Sequence, residues 1–191
     1  MIGIIFGPPG SGKGTQAGRI ELEFHLDHLS TGDILRSEVA RGTETGKEVA
    51  RIMAAGDLVP DDLIIRIVQG ILRDPKVSSD VLLDGFPRTL EQSRALDRML
   101  AEEGHRVDFV IALDVPEPVL VDRILHRAAV EGRADDTREA IAERMHEYHK
   151  LTAAVLDYYR KQGARVEVVD GVGDVDEVFG RTRRAIGISS G

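Results

Sequence analysis

At 191 residues, 42% of them hydrophobic and 30% charged, the chain can bury a full core and has the size of one α/β domain. A formal net charge of −8, no tryptophan and no basic stripe interleaved with aromatics argue against nucleic acid as the main partner. No apolar stretch approaches the roughly 20 residues that span a bilayer and no signal-like leader is visible, so a soluble, cytoplasmic protein with no membrane partner is expected. The absence of cysteine excludes disulfides and thiolate metal sites, and the six histidines lack zinc-ligand spacing, so no zinc is expected. Any metal must be held by oxygen or by substrate.

The chain opens with an apolar run over residues 2–6 that reads as a buried parallel strand. Directly after it come Gly7-Pro8-Pro9-Gly10-Ser11-Gly12-Lys13-Gly14-Thr15. Glycines at 7, 10, 12 and 14 permit positive φ and close backbone approach, so successive N–H groups can form an anion nest at the start of the next helix. Lys13 then reaches the β- and γ-phosphates as a point charge. The pattern G-x-x-x-x-G-K fits from Gly7 to Lys13, except that Gly14 follows the lysine and the hydroxyl of Thr15 comes one place later.

A second strand is expected around residues 28–29. From Thr31 to about Pro60 the sequence carries two helical segments and glycines at 32, 42, 46 and 56 without a strand, the pattern of an insert that can move. The run at 81–83 reads as a third strand and ends in Asp84-Gly85-Phe86-Pro87-Arg88. A carboxylate at the carboxyl end of a parallel strand, beside a phosphate loop, can organise magnesium and its waters. Arg88, at the start of the next helix, offers a guanidinium fork suited to phosphate.

A fourth strand is expected at 109–113. Pro116 starts a helix on which Arg123 and Arg127, four residues apart, share a face. A short span at about 128–136 separates this helix from the next, where Asp136 and Glu139 have capping-box spacing and set Arg133 in the loop just before. On that next helix Ile141, Tyr148, Leu151 and Val155 recur at helical spacing as a buried stripe, and Arg144 falls on the same stripe. The fifth strand is expected at 166–169. Strands alternating with helices imply one α/β domain with a parallel sheet covered on both faces. The arginines, 20 of the 25 basic residues, must gather locally for so acidic a chain to bind an anion.

The chain resembles the adenylate kinases, within the nucleoside monophosphate kinase family. The matching segments are 7–15, 29–36, 56–60, 84–89 with Gln92, 122–127, and 132–136 with Arg144; they run in family order over nearly the whole chain. The resemblance implies a P-loop NTPase fold: a five-stranded parallel sheet flanked by helices, an AMP-binding insert at about 30–59 and a short lid at about 128–136. It also implies that Gly10, Ser11, Gly12, Lys13, Gly14 and Thr15 cradle the ATP phosphates, that Arg127 contacts ATP, and that backbone near Gly173 meets its adenine. AMP would be held by Thr31, Arg36, the backbone of Asp57, Leu58 and Val59, Gly85, Phe86, Pro87, Arg88 and Gln92. Arg133 and Arg144 would reach the transferring group and AMP, with Arg123 beside them; Lys13 and Arg88 complete the catalytic set. Asp84 would act on magnesium through water.

The reaction implied is MgATP + AMP ⇌ MgADP + ADP, with ATP, AMP and ADP as the partners of a monomer. The alternative on the same scaffold is a UMP/CMP kinase. Thr31 with Gln92 speaks for adenine, since the pyrimidine-specific relatives usually differ at both places. A guanine-nucleotide switch would need an N-K-x-D motif, which a chain without asparagine cannot contain.

Overall fold

The computed structural model describes residues 1–55, 57–131 and 138–187. Five strands, β1 (Ile2–Phe6), β2 (Asp27–Ser30), β3 (Val81–Asp84), β4 (Phe109–Asp114) and β5 (Arg165–Asp170), form one sheet in the order β2-β3-β1-β4-β5 with every pair parallel. The five strands expected from the sequence are all present, each extended by a residue or two at most, except that β1 coincides with its run.

The helices are α1 (Lys13–Phe24), α2 (Thr31–Ala40), α3 (Glu44–Ala55), α4 (Asp61–Leu72), α5 (Leu90–Glu102), α6 (Glu117–Glu131), α7 (Arg138–Lys161) and α8 (Val175–Ile186). The expected helical insert is α2 and α3, returning to the body at α4. Helix α6 continues through Glu131, so the described part of the span at 128–136 is helical; the Asp136 capping box lies outside the described residues.

The period of two in β1 divides the core. Ile2, Ile4 and Phe6 join Val81, Leu83, Val110 and Ala112 on one face under α4, α5 and α7, whereas Ile5 joins Leu82, Phe109, Ile111 and Leu113 on the other, under α1 and α8. Ile4, Ile5, Leu82, Leu83 and Ile111 have no accessible surface, and each such side chain contributes about 1.5–3 kcal/mol. A Cβ at Gly3 would lie 2.1 Å from the Phe109 ring, so that position must be glycine for Phe109 to pack across β1. The edge strand β5 carries Arg165, Glu167 and Asp170, charges that blunt an open edge.

Local chemistry sets the helix starts near the carboxyl end of the sheet. Ser30 caps α2 by accepting from the Asp33 N–H at 3.3 Å, and Thr89 caps α5 by accepting from the Gln92 N–H at 3.1 Å. Asp174 and Glu177 form a reciprocal capping box on α8. Since the strands after β1 are laid first on one side of it (β2 and β3) and then on the other (β4 and β5), its carboxyl end is the switch point where an open α/β sheet leaves a crevice.

Candidate active site

That crevice is a cleft of about 800 Å³. One end is the loop after β1. Gly10 and Gly12 adopt φ of 78° and 85°, and a Cβ on Gly10 would lie 2.8 Å from the Leu120 carbonyl oxygen. Gly12 is the N-cap of α1 and supplies no side-chain acceptor, so the first N–H groups of that helix remain for an anion. Of the four glycines expected to permit positive φ and close backbone approach, Gly10 and Gly12 take positive φ. Gly7 is instead required sterically, since a Cβ there would meet Ser11 Oγ at 2.3 Å, while Gly14 is a helical residue in the first turn of α1 with open space around it.

Asp84 stands beside this loop because β3 pairs in register with β1, Ile5 opposite Asp84. It is 6% exposed, and His28 Nε2 on β2 lies 3.4 Å from its Oδ2, close enough for charge attraction without the alignment of a hydrogen bond. Burial works against the carboxylate, but His28, Lys13 and Arg88 outweigh it and hold Asp84 below the usual aspartate range. Burial likewise disfavours the His28 imidazolium, yet the facing Asp84 raises its pKa above the ordinary histidine value. Asp84 is thus an ionised oxygen donor at neutral pH, suited to magnesium that arrives with a nucleotide. Among the described residues no group of three or more His, Cys, Asp or Glu side chains could hold a metal ion by protein ligands.

The opposite wall comes from the insert and α5. Thr31, buried at the start of α2, donates from Oγ1 to the Asp84 carbonyl at 3.1 Å, and Arg36, one turn on, pairs with Asp33 at 2.6 Å. Asp57, Leu58 and Val59 line the same wall. Arg88 Nε donates to the Gly85 carbonyl at 2.8 Å, and its backbone N–H donates to Gln92 Oε1 at 2.7 Å. From the third side come Arg123 on α6, whose guanidinium donates to the Gly171 carbonyl at 3.3 Å, and Arg144 on α7. Burial and then the neighbouring Arg144 push the Arg88 guanidinium below its ordinary pKa, with Asp84 acting in the opposite sense and Arg36 in the same one. Such a gathering of cations around a desolvated guanidinium is a site for multiply charged anions.

Of the residues expected at the site, Gly10, Gly12, Lys13, Gly14, Thr15, Thr31, Arg36, Asp57, Leu58, Val59, Asp84, Gly85, Arg88, Gln92, Arg123 and Arg144 line this one cleft. Ser11, Phe86 and Pro87 are buried behind it, Phe86 within the core, and Gly173 is exposed outside the lining. Arg133 lies outside the described residues, as does the Arg127 side chain.

The structure also corrects the stripe on α7. Ile141, Met145, Val155 and Leu156 form its buried face, whereas Arg144, Tyr148 and Leu151 are half-buried and line the cleft. Arg144 is therefore not an intrusion into the apolar core. Sequence reading missed His28, whose position two residues before Ser30 marked it only as a strand residue. It also missed Asp61, which holds Gln92 and Thr89 from α4 with both carboxylate oxygens. Nothing in the sequence linked Thr89 and Gln92 to α4.

A family model described as adenylate kinase matches residues 5–164. The chain is 49% identical over 185 residues to a protein named adenylate kinase from Thermus thermophilus, covering 97% of this chain and 96% of that one. It is 46% identical over 183 residues to the adenylate kinase of Stenotrophomonas maltophilia, covering 96% and 97%. With the adenylate kinase of Phocaeicola vulgatus it shares 46% over 176 residues, covering 92% and 93%.

Proposed function

This chain belongs to the adenylate kinase family, and from that premise we propose that it transfers the γ-phosphoryl group of MgATP reversibly to AMP, giving two ADP. The observation that carries the reading is the convergence of Lys13, Arg36, Arg88, Arg123 and Arg144, from separate segments, on one cleft between the glycine loop and the Thr31–Gln92 wall.

In this reading the residues from Gly10 to Thr15, with Arg127, hold the ATP phosphates, and backbone near Gly173 meets the adenine. Thr31, Arg36, the 57–59 backbone, the 85–88 turn and Gln92 hold AMP. The acceptor is a phosphate monoester, whose second pKa near 6 leaves it mostly dianionic at neutral pH. No side chain is needed to deprotonate it. The work of the protein is to align donor and acceptor and to neutralise charge, which the cluster around Arg88 is built to do. Magnesium, carried as part of the nucleotide substrate, supplies charge neutralisation between the β- and γ-phosphates, and the ionised Asp84 is the residue that would hold its waters.

The lid proposed at about 128–136, including Arg133, would close over the phosphates and exclude water; Arg133 lies outside the described residues. Among the described residues no helix is long and apolar enough to cross a membrane. The protein is proposed to act as a cytoplasmic monomer. Incubation with MgATP and AMP tests the reaction: equal consumption of both, with two ADP per AMP, is expected. ATP consumption that yields inorganic phosphate at the same rate with and without AMP would contradict it.

A further inference from the structure

Gln92 is 3% exposed and its amide is held at both ends. Its Oε1 accepts from the Arg88 backbone N–H at 2.7 Å, and its Nε2 donates to Asp61 Oδ1 at 2.7 Å. A backbone N–H can only donate and an ionised carboxylate can only accept, so the chemistry of the two partners fixes which end of the amide is oxygen. The second oxygen of Asp61 accepts from the Thr89 hydroxyl at 2.7 Å, and Thr89 in turn caps the Gln92 N–H. Asp61 is thereby engaged with the N-cap and a first-turn residue of α5, 28 and 31 positions away in sequence.

After these bonds Gln92 keeps one lone pair on Oε1 and one hydrogen on Nε2 for a ligand in the cleft it lines. An acceptor beside a donor, in fixed order, matches the amino group and adjacent ring nitrogen of a 6-aminopurine. Against a 6-oxopurine the same fixed order sets oxygen against oxygen and N–H against N–H. We propose that Asp61 is a positioning residue that locks the Gln92 amide and so makes the acceptor site select 6-amino over 6-oxo purine monophosphates. This rests on the reading that Gln92 meets the base of the acceptor nucleotide. Asp61 also sits in the first turn of α4, where an acid favours the helix N-terminus, so its loss lowers stability for reasons unrelated to selection. The test must separate the two.

AMP and IMP differ at position 6 of the purine and share the phosphate. kcat and KM are measured for each, at saturating MgATP, in the wild type, D61A, D61N and Q92L, with melting temperatures of all four. D61A is expected to raise KM for AMP at least tenfold and to lower the AMP/IMP ratio of kcat/KM at least tenfold, with KM for ATP within twofold. D61N keeps one acceptor oxygen and is expected to recover part of the ratio, to within three- to tenfold of wild type. Q92L is expected to lower the ratio at least as far as D61A. A lowered ratio in Q92L with an unchanged ratio in the Asp61 variants overturns the proposal and leaves Asp61 a helix-stabilising residue. An unchanged ratio in Q92L removes Gln92 from base recognition, and the proposal falls with that reading. If D61A does not fold, D61N decides, and a wild-type ratio in D61N overturns the proposal.

Discussion

Thr31 Oγ1 and the Asp84 carbonyl, 3.1 Å apart and both buried, join the first turn of the insert to the strand end that carries the buried Asp84 carboxylate. Between Asp84 and the turn to Arg88 sits Gly85 at φ +82°, where a Cβ would lie 2.7 Å from Thr31 Oγ1 and 3.3 Å from Arg88 Nη2. Gly85→Ala is therefore expected to cost about 1–3 kcal/mol of stability through backbone strain and to displace Thr31 and Arg88 together. Urea denaturation and AMP kinetics on one preparation check this. A variant with unchanged stability and KM for AMP would show that the turn tolerates a side chain.

Lys13 is the first residue of α1, on the glycine loop and facing the same cleft as Asp84. Lys13→Met is expected to lower turnover about 10³-fold with the fold intact, since a preorganised charge at the transferring group is worth several kcal/mol. Lys47, exposed on α3 and paired with Glu44, should tolerate the same substitution. Comparable losses in both variants would deny Lys13 its special place.

Arg144 presents a different balance. It is half-buried on the cleft side of α7 and its charge bears on Arg88, so a neutral side chain there relieves like-charge repulsion while leaving the buried stripe of Ile141 and Met145 untouched. Arg144→Leu is expected to leave melting temperature equal or slightly raised and to lower turnover about 10²-fold. Collapse of stability with normal turnover of the folded fraction would make Arg144 a structural residue.

His28 gives a pH dependence with a defined sign. Its folded pKa lies above the ordinary value of 6.5 because Asp84 outweighs the effect of burial. The stabilisation it contributes is then fully present below about pH 6.5 and is lost as pH rises through the folded pKa. In the protein without nucleotide, the melting-temperature advantage of the wild type over His28→Gln should shrink as pH is raised from 6 to 9. An advantage that grows over that range would reverse the assignment.

The local parts of this site were legible in the sequence because their chemistry is local. The glycine loop, the Ile2–Phe6 strand before it and Asp84 at the end of β3 are each specified within a few residues. What pairs across the fold was not legible. Nothing in the sequence brings Asp61 to Gln92 or His28 to Asp84; these contacts follow from how α4 meets α5 and β2 meets β3. On α7 the helical period identified residues that share a side, but not that Arg144, Tyr148 and Leu151 look onto a cleft while Met145 faces the core. Period fixes neighbours on a helix and leaves open what the helix packs against.

The identity of the phosphate acceptor tests the account most directly. The protein is incubated with MgATP and, separately, AMP, UMP and CMP, and the initial rates of diphosphate formation are compared by resolving the products. A site that hydrogen-bonds one base edge leaves polar groups unpaired with another, so kcat/KM for AMP should exceed those for UMP and CMP by at least about 10²-fold. Equal rates with UMP and AMP would contradict the assignment of Thr31 and Gln92 to an adenine site, and with it the proposed reaction.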